Sequence, residues 1–217
     1  MPALYSRRHM VAAFGAAAMS AFSARAWGAG LLDGLGLTKL LGKASDGALD
    51  KLGETDGFYR DLAVRIALPG ATGSLARRAL RLGDSLGLTT KLTKSLNDAA
   101  SLAALEAKPV FRSAISQIKL KDVPGIATKK DGASQYLLRA AGPDLQTKVE
   151  PLIAAALTKV GAYQQIAKIN RKGGLLASLG LSEDRVTQSV SKQAMTGIFS
   201  YIGKEEEKLR ANPFGIL

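Results

Sequence analysis

The sequence predicts an all-α fold, a multi-helix domain of about seven to nine helices, and three observations carry that prediction. Apolar residues recur three and four positions apart through most of the 217-residue chain, the spacing that gathers them on one face of a helix. β-Branched residues are scattered and form no alternating run, so no segment reads as a strand. One phrase recurs between the periodic stretches: Leu35-Gly36-Leu37-Thr38, Leu86-Gly87-Leu88-Thr89 and Leu179-Gly180-Leu181-Ser182. In such a joint glycine takes the left-handed position that ends a helix, leucine packs back on it, and Thr or Ser caps the next helix. The intervals between copies are irregular, which excludes a solenoid. Neither GxGxxG nor GxxxxGK[ST] occurs, so the glycines read as structural and not as a phosphate cradle.

Residues 1–26 read as an export signal. Arg7 and Arg8 give a positive start, Met10–Phe22 an uncharged apolar middle, and Ser23-Ala24-Arg25-Ala26 a small-residue end with cleavage after Ala26. That middle falls short of the roughly 20 residues a membrane span needs. Ser6-Arg7-Arg8-His9-Met10-Val11 is similar to a twin-arginine motif, with Met10-Val11 where Phe-Leu is usual, so twin-arginine and general secretion both stay open. The expected location is the periplasm. Residues 27–36, with four glycines, read as a flexible leader, 37–213 as the domain, and 214–217 as a tail.

Within the domain, Leu40, Leu41, Ala44, Ala48, Leu49 and Leu52 make a one-sided helix over Thr38–Leu52. Glu54-Thr55-Asp56-Gly57 is a turn leading to the aromatics Phe58 and Tyr59, and Leu68-Pro69-Gly70 is a second break. Helices follow at Ser74–Leu86 and Thr89–Lys108. Pro109 is expected to start or kink the segment to Ile118, because the residue before a proline resists helical angles. Lys119–Ser134 reads as polar and broken. Gly142-Pro143-Asp144 is expected to open the next helix, interrupted by Pro151 and Gly161 and ending near Gly173-Gly174. The clearest helix runs from Glu183 to about Arg210. Ser182 caps it, Glu183 and Asp184 suit its positive end, Val186, Val190, Ala194, Ile198, Tyr201, Ile202 and Leu209 form its stripe, and Asn212-Pro213 stops it.

Composition restricts the chemistry. The chain has 30 Lys and Arg against 18 Asp and Glu, one histidine and no cysteine. The signal contains three of the basic residues (Arg7, Arg8, Arg25) and His9, so a processed chain keeps 27 basic and 18 acidic residues, net +9, with no imidazole and no thiol. Disulfides, thiolate nucleophiles and histidine-based catalysis or metal binding are thereby excluded, leaving carboxylate, lysine or hard-cation chemistry. No cofactor is expected. Glu205-Glu206-Glu207 is the only acidic run. Adjacent helical residues point about 100° apart, so the three do not converge on one ion. Glu206 and Arg210 stand at i, i+4, and the run reads as a solvated, self-paired helix end.

Basic residues cluster at Arg77-Arg78-Arg81, at Lys119, Lys121, Lys129 and Lys130, and at Arg171-Lys172. A positive domain favours anionic partners. The aromatics are dispersed, however, and no helix-turn-helix or zinc-finger signature occurs, so nucleic acid is not expected. Arg77, Arg78, Arg81, Lys129 and Lys130 are the candidate contacts for an anionic partner.

Four phrases carry a family resemblance: Thr55-Asp56-Gly57-Phe58, Ile66-Ala67-Leu68-Pro69, Ala107-Lys108-Pro109-Val110-Phe111, and the ending from Glu205 through Arg210 to Asn212-Pro213. With them the chain from about Leu31 to Pro213 resembles the domain of unknown function 4197 family, exported and largely helical proteins of Gram-negative bacteria. Thr128-Lys129-Lys130-Asp131-Gly132 stands where members often carry a glycine-rich phrase. The resemblance implies export and an all-α fold, and it marks Asp56, Gly57, Phe58, Glu206, Arg210, Asn212 and Pro213 as motif residues without a stated role. The leading functional expectation is a non-catalytic envelope protein that binds a protein or lipid, or assembles with itself. A carboxylate enzyme of the cell envelope is the second reading. It needs two acids facing one cleft, with Asp56, Asp61 and Glu150 as candidates. Peripheral binding to an anionic membrane is the third.

Overall fold

The computed structural model describes residues 34–70, 74–118, 126, 129–173 and 178–212. Among them seven helices form and no strand does: α1 (Gly34–Gly53), α2 (Gly57–Arg60), α3 (Ser74–Ser85), α4 (Leu88–Gln117), α5 (Gly132–Lys159), α6 (Ala162–Lys172) and α7 (Glu183–Ala211). The all-α expectation holds. The signal, most of the leader, Lys119, Lys121, Pro213 and the tail lie outside the described residues.

α4 is the hub, touching each of the other six helices. Its buried face explains how one helix serves so many neighbours. Ala99, Ala100, Ala103, Ala104, Ala107 and Ala114 are buried there, and their small side chains let flanking helices approach closely. Leu92, Leu96 and Phe111 fill the wider gaps. α1 runs antiparallel to α4, registered by a charge ladder in which Lys108 meets Asp50 and Arg112 grips Asp46 bidentately at 2.9 and 3.0 Å. α5 and α7 are also antiparallel, since Ser134 meets Glu206 at one end while Gln146 donates to Ser191 further along.

An extended segment crosses between α4 and α7, held by two side-chain amides. The Ile66 N–H donates to Asn97 Oδ1 at 2.8 Å, and Asn97 Nδ2 donates back to the Ile66 carbonyl at 3.0 Å. Gln193 treats Ala67 in the same way from α7, at 2.9 and 3.0 Å. The two amides stand in for the neighbouring strands this backbone lacks.

Several local expectations are corrected. α1 begins at Gly34, inside the expected leader, because Leu37 is fully buried and draws the preceding turn into the helix. The first Leu-Gly-Leu-Thr copy is therefore helical and not a joint. The second copy is a joint, with Gly87 left-handed at φ 66°, but Thr89 lies inside α4 and its hydroxyl donates to Asp84 instead of capping. The third copy has the left-handed glycine and the cap, Gly180 at φ 57° and Ser182 Oγ accepting the Arg185 N–H at 3.3 Å, but no described helix ends at Gly180. Pro109, Pro143 and Pro151 neither start nor break helices; α4 runs through the first and α5 through the other two. All three prolines are exposed, as are Leu105, Arg139 and Thr147 four residues before them. The carbonyl each proline leaves without an intrahelical donor therefore faces water, while the opposite face keeps its packing. The break comes at Gly161, left-handed at φ 75°.

Candidate functional site

The four-residue stripe of α7 explains the acidic run. Val186, Val190, Ala194, Ile198 and Ile202 are buried, and the next step of four is Glu206. It is fully buried, which corrects the expectation of a solvated helix end. Its Oε1 accepts the Ala133 N–H at 3.0 Å, and its Oε2 accepts the Ser134 N–H at 2.7 Å and the Ser134 hydroxyl at 2.5 Å. Arg210, one step further on the stripe, donates to Oε1 as its spacing predicts. Glu206 thus caps the first turn of α5 from a different helix, where negative charge is favoured and where Asp131 makes no side-chain cap bond. Glu205 and Glu207 are not equivalent to it. Glu205 lies against Gly47 and pairs with Lys51 and Lys208; burial alone would raise its pKa, but these two lysines hold it below the ordinary value. Glu207 is exposed.

The other motif residues also hold the scaffold. Asp56 is the one described non-glycine residue with a left-handed backbone, φ 62°, and Lys94 of α4 bridges it to Asp98 at 2.7 and 2.5 Å. Those hydrogen bonds, Asp56 first, raise the Lys94 pKa. A Cβ on Gly57 would stand 2.3 Å from the Leu52 carbonyl oxygen, so only glycine lets α2 fold back this tightly on the end of α1. Phe58 is buried, its N–H donating to Ser101 Oγ at 3.3 Å and its ring lying over Gly197 of α7. Asn212 ends α7, its N–H donating to the Lys208 carbonyl at 3.0 Å.

Of the acids named for carboxylate chemistry, Asp56 and Asp61 stand at the two ends of α2 with separate partners, and none of the three faces a second buried acid. Asp61 accepts from the Tyr201 hydroxyl at 2.7 Å and the Ala63 N–H at 2.9 Å, with Lys204 at 3.9 Å. The hydrogen bonds from Tyr201 and Ala63 lower its pKa, and burial together with the Asp61 bond pushes the Tyr201 phenol up to about 12. Glu150 is half-buried on α5. Glu206 is the only buried acid among the described residues, and those residues contain no acidic or histidine cluster able to hold a metal ion.

A groove remains between α5 and α7, with a cavity volume of about 690 Å³. Leu138, Pro143, Met195 and Phe199 form its apolar floor, with Gly142 lining it close beside Leu138. Phe199 joins floor to core, its ring centroid 5.9 Å from that of Phe111. Gln135, Gln146, Lys192 and Thr196 make a polar rim. Lys129 reaches that rim, donating to Gln135 Oε1 at 3.4 Å. Lys192, Thr196 and Ser200 form a ridge, with a second depression of about 350 Å³ on its far side against Ala63–Arg65. Lys130 is exposed beside Lys129, whereas Arg77, Arg78 and Arg81 stand exposed on α3. The sequence did not reveal the groove, because its walls come from segments some sixty residues apart.

A family model described as "Protein of unknown function (DUF4197)" matches residues 34–215. No curated protein and no solved structure matches the chain.

Proposed function

The chain belongs to the DUF4197 family, and from that premise we propose that it is an exported, non-catalytic protein of the periplasm whose groove between α5 and α7 binds an amphiphile. The groove is the observation that carries this reading. Its volume lies within the roughly 300–1,000 Å³ of small-molecule sites, and an apolar floor with a few polar groups at the rim is their usual make-up. An acyl chain would lie along Leu138, Met195 and Phe199, with its polar end at Gln135, Gln146 and Lys192. Leu138 is 47% exposed in the groove, so covering it removes apolar surface from water. Export rests on Arg7, Arg8, the apolar Met10–Phe22 and the small residues before Ala26.

Binding is tested with 1-N-phenylnaphthylamine and its displacement by laurate. The expected result is saturable uptake of one probe per chain, at least tenfold weaker in Leu138→Arg, whose exposed site tolerates the change. Absence of saturable uptake in the unaltered protein contradicts the reading. For export, intact mass of protein recovered from the periplasm is expected to begin at Trp27.

A further inference from the structure

Of the exposed leucines among the described residues, three lie on or directly after α3. Leu75, Leu82 and Leu86 are 54%, 40% and 55% exposed. They are seven and four residues apart, which places them within about 20° of one line along α3, given about 100° per residue. Leu86 follows the last residue of the helix, but its N–H donates to the Leu82 carbonyl at 3.2 Å and keeps the turn going. The helix does not need these side chains for packing. It meets α4 through the buried Ala76, Ala79 and Gly83, and Gly83 sits so close to Thr89 that a Cβ would stand 2.4 Å from its methyl.

On one side of the leucine line lie the exposed Arg78 and Arg81, at roughly 60° and 120° around the helix, whereas the exposed Arg77, at roughly 160°, stands on the far side near Asp84. The one acid on the helix, Asp84, falls nearly opposite the leucines and is engaged by the hydroxyls of Thr89 and Thr90. The outward side of α3 is therefore an apolar strip flanked on one side by two guanidinium groups, those of Arg78 and Arg81, on a chain of net charge +12. That combination is the one by which a helix lies in the plane of a membrane surface, the leucines among the acyl chains and the arginines on lipid phosphates.

We propose that α3 docks the protein on anionic phospholipid, with Leu75, Leu82 and Leu86 inserted and Arg78 and Arg81 at the head groups. Charge complementarity selects lipid phosphate as the occupant, since a neutral apolar partner gives the arginines nothing to pair with. This surface is separate from the groove, and either can fail without the other.

The test is flotation of the purified intact protein with phosphatidylglycerol–phosphatidylcholine vesicles and with pure phosphatidylcholine vesicles, at low and high salt. Binding to the anionic vesicles alone, weakened by salt, is expected. Arg78→Gln/Arg81→Gln and Leu75→Ser/Leu82→Ser are each expected to lower the partition coefficient at least tenfold. Both change exposed residues only, and helical circular dichroism confirms the fold. The N-terminal apolar segment is common to all these chains, so the difference between them reports on α3. Leu82→Trp places a probe on the strip, and its emission is expected to shift to the blue on anionic vesicles. Equal binding by the α3 variants overturns the proposal, as does unshifted emission from Leu82→Trp. Loss of self-association in Leu75→Ser/Leu82→Ser without vesicle binding also overturns it, and assigns the strip to a second copy of the chain.

Discussion

Glu206 has no exposed surface, yet four hydrogen-bonding groups converge on its two oxygens. A buried carboxylate is tolerable only when it is compensated in this way: removing Arg210 leaves the Glu206 charge buried without its counter-charge, and removing Glu206 strands the buried donors of Ala133 and Ser134. Glu206→Ala and Arg210→Ala are therefore each expected to destabilise the fold by about 3–5 kcal/mol, whereas Glu207→Ala, at an exposed position, should stay within about 0.5 kcal/mol. Urea unfolding midpoints check all three. Tyr201 gives a pH signature of its own. Its phenol is raised from 10.0 to about 12, so the stability it contributes is present below pH 10 and is lost as pH rises through 12. Tyr201→Phe should flatten that alkaline decline. Asp61 has the opposite sign: its pKa is lowered from 3.8, so its contribution is present above that value and lost as pH falls through the folded one.

At the scale of elements, the sequence was most legible where local chemistry decides. Ser182, Glu183 and Asn212 bounded α7 correctly because caps act within a single turn. The prolines misled because only tertiary packing determines which side of a helix faces water. Glu206 was readable in principle, since it continues the four-residue steps from Val186 to Ile202, but its charge argued for solvent and its partners lie some seventy residues earlier. The extended segment at Ile66–Ala67 separates buried from exposed polar contacts. Asn97 is fully buried, and Asn97→Ala strands both polar groups of Ile66, an expected cost of about 2–4 kcal/mol. Gln193 makes the same two bonds to the exposed Ala67, where water can replace it, so Gln193→Ala should cost under about 1 kcal/mol. Equilibrium denaturation of the pair, with equal losses in both, would contradict this assignment.

Over the whole molecule, the family phrases and the groove divide the work. Asp56, Gly57 and Phe58 lock α2 between α1, α4 and α7, Phe111 packs at a tilt against Phe199, and Glu206 with Arg210 fixes the start of α5 against α7. These contacts set the spacing of α5 and α7, and that spacing is the groove. The fold class was legible in the periodicity, but the groove was not, because Leu138 and Phe199 meet only after the chain has turned back twice. The most direct test of the ligand-binding reading is a laurate titration of the isotopically labelled protein followed by two-dimensional amide and methyl NMR. Saturable shifts concentrated at Gln135, Leu138, Gly142, Met195, Thr196 and Phe199 are predicted. Shifts that never saturate, or that gather away from α5 and α7, would contradict it.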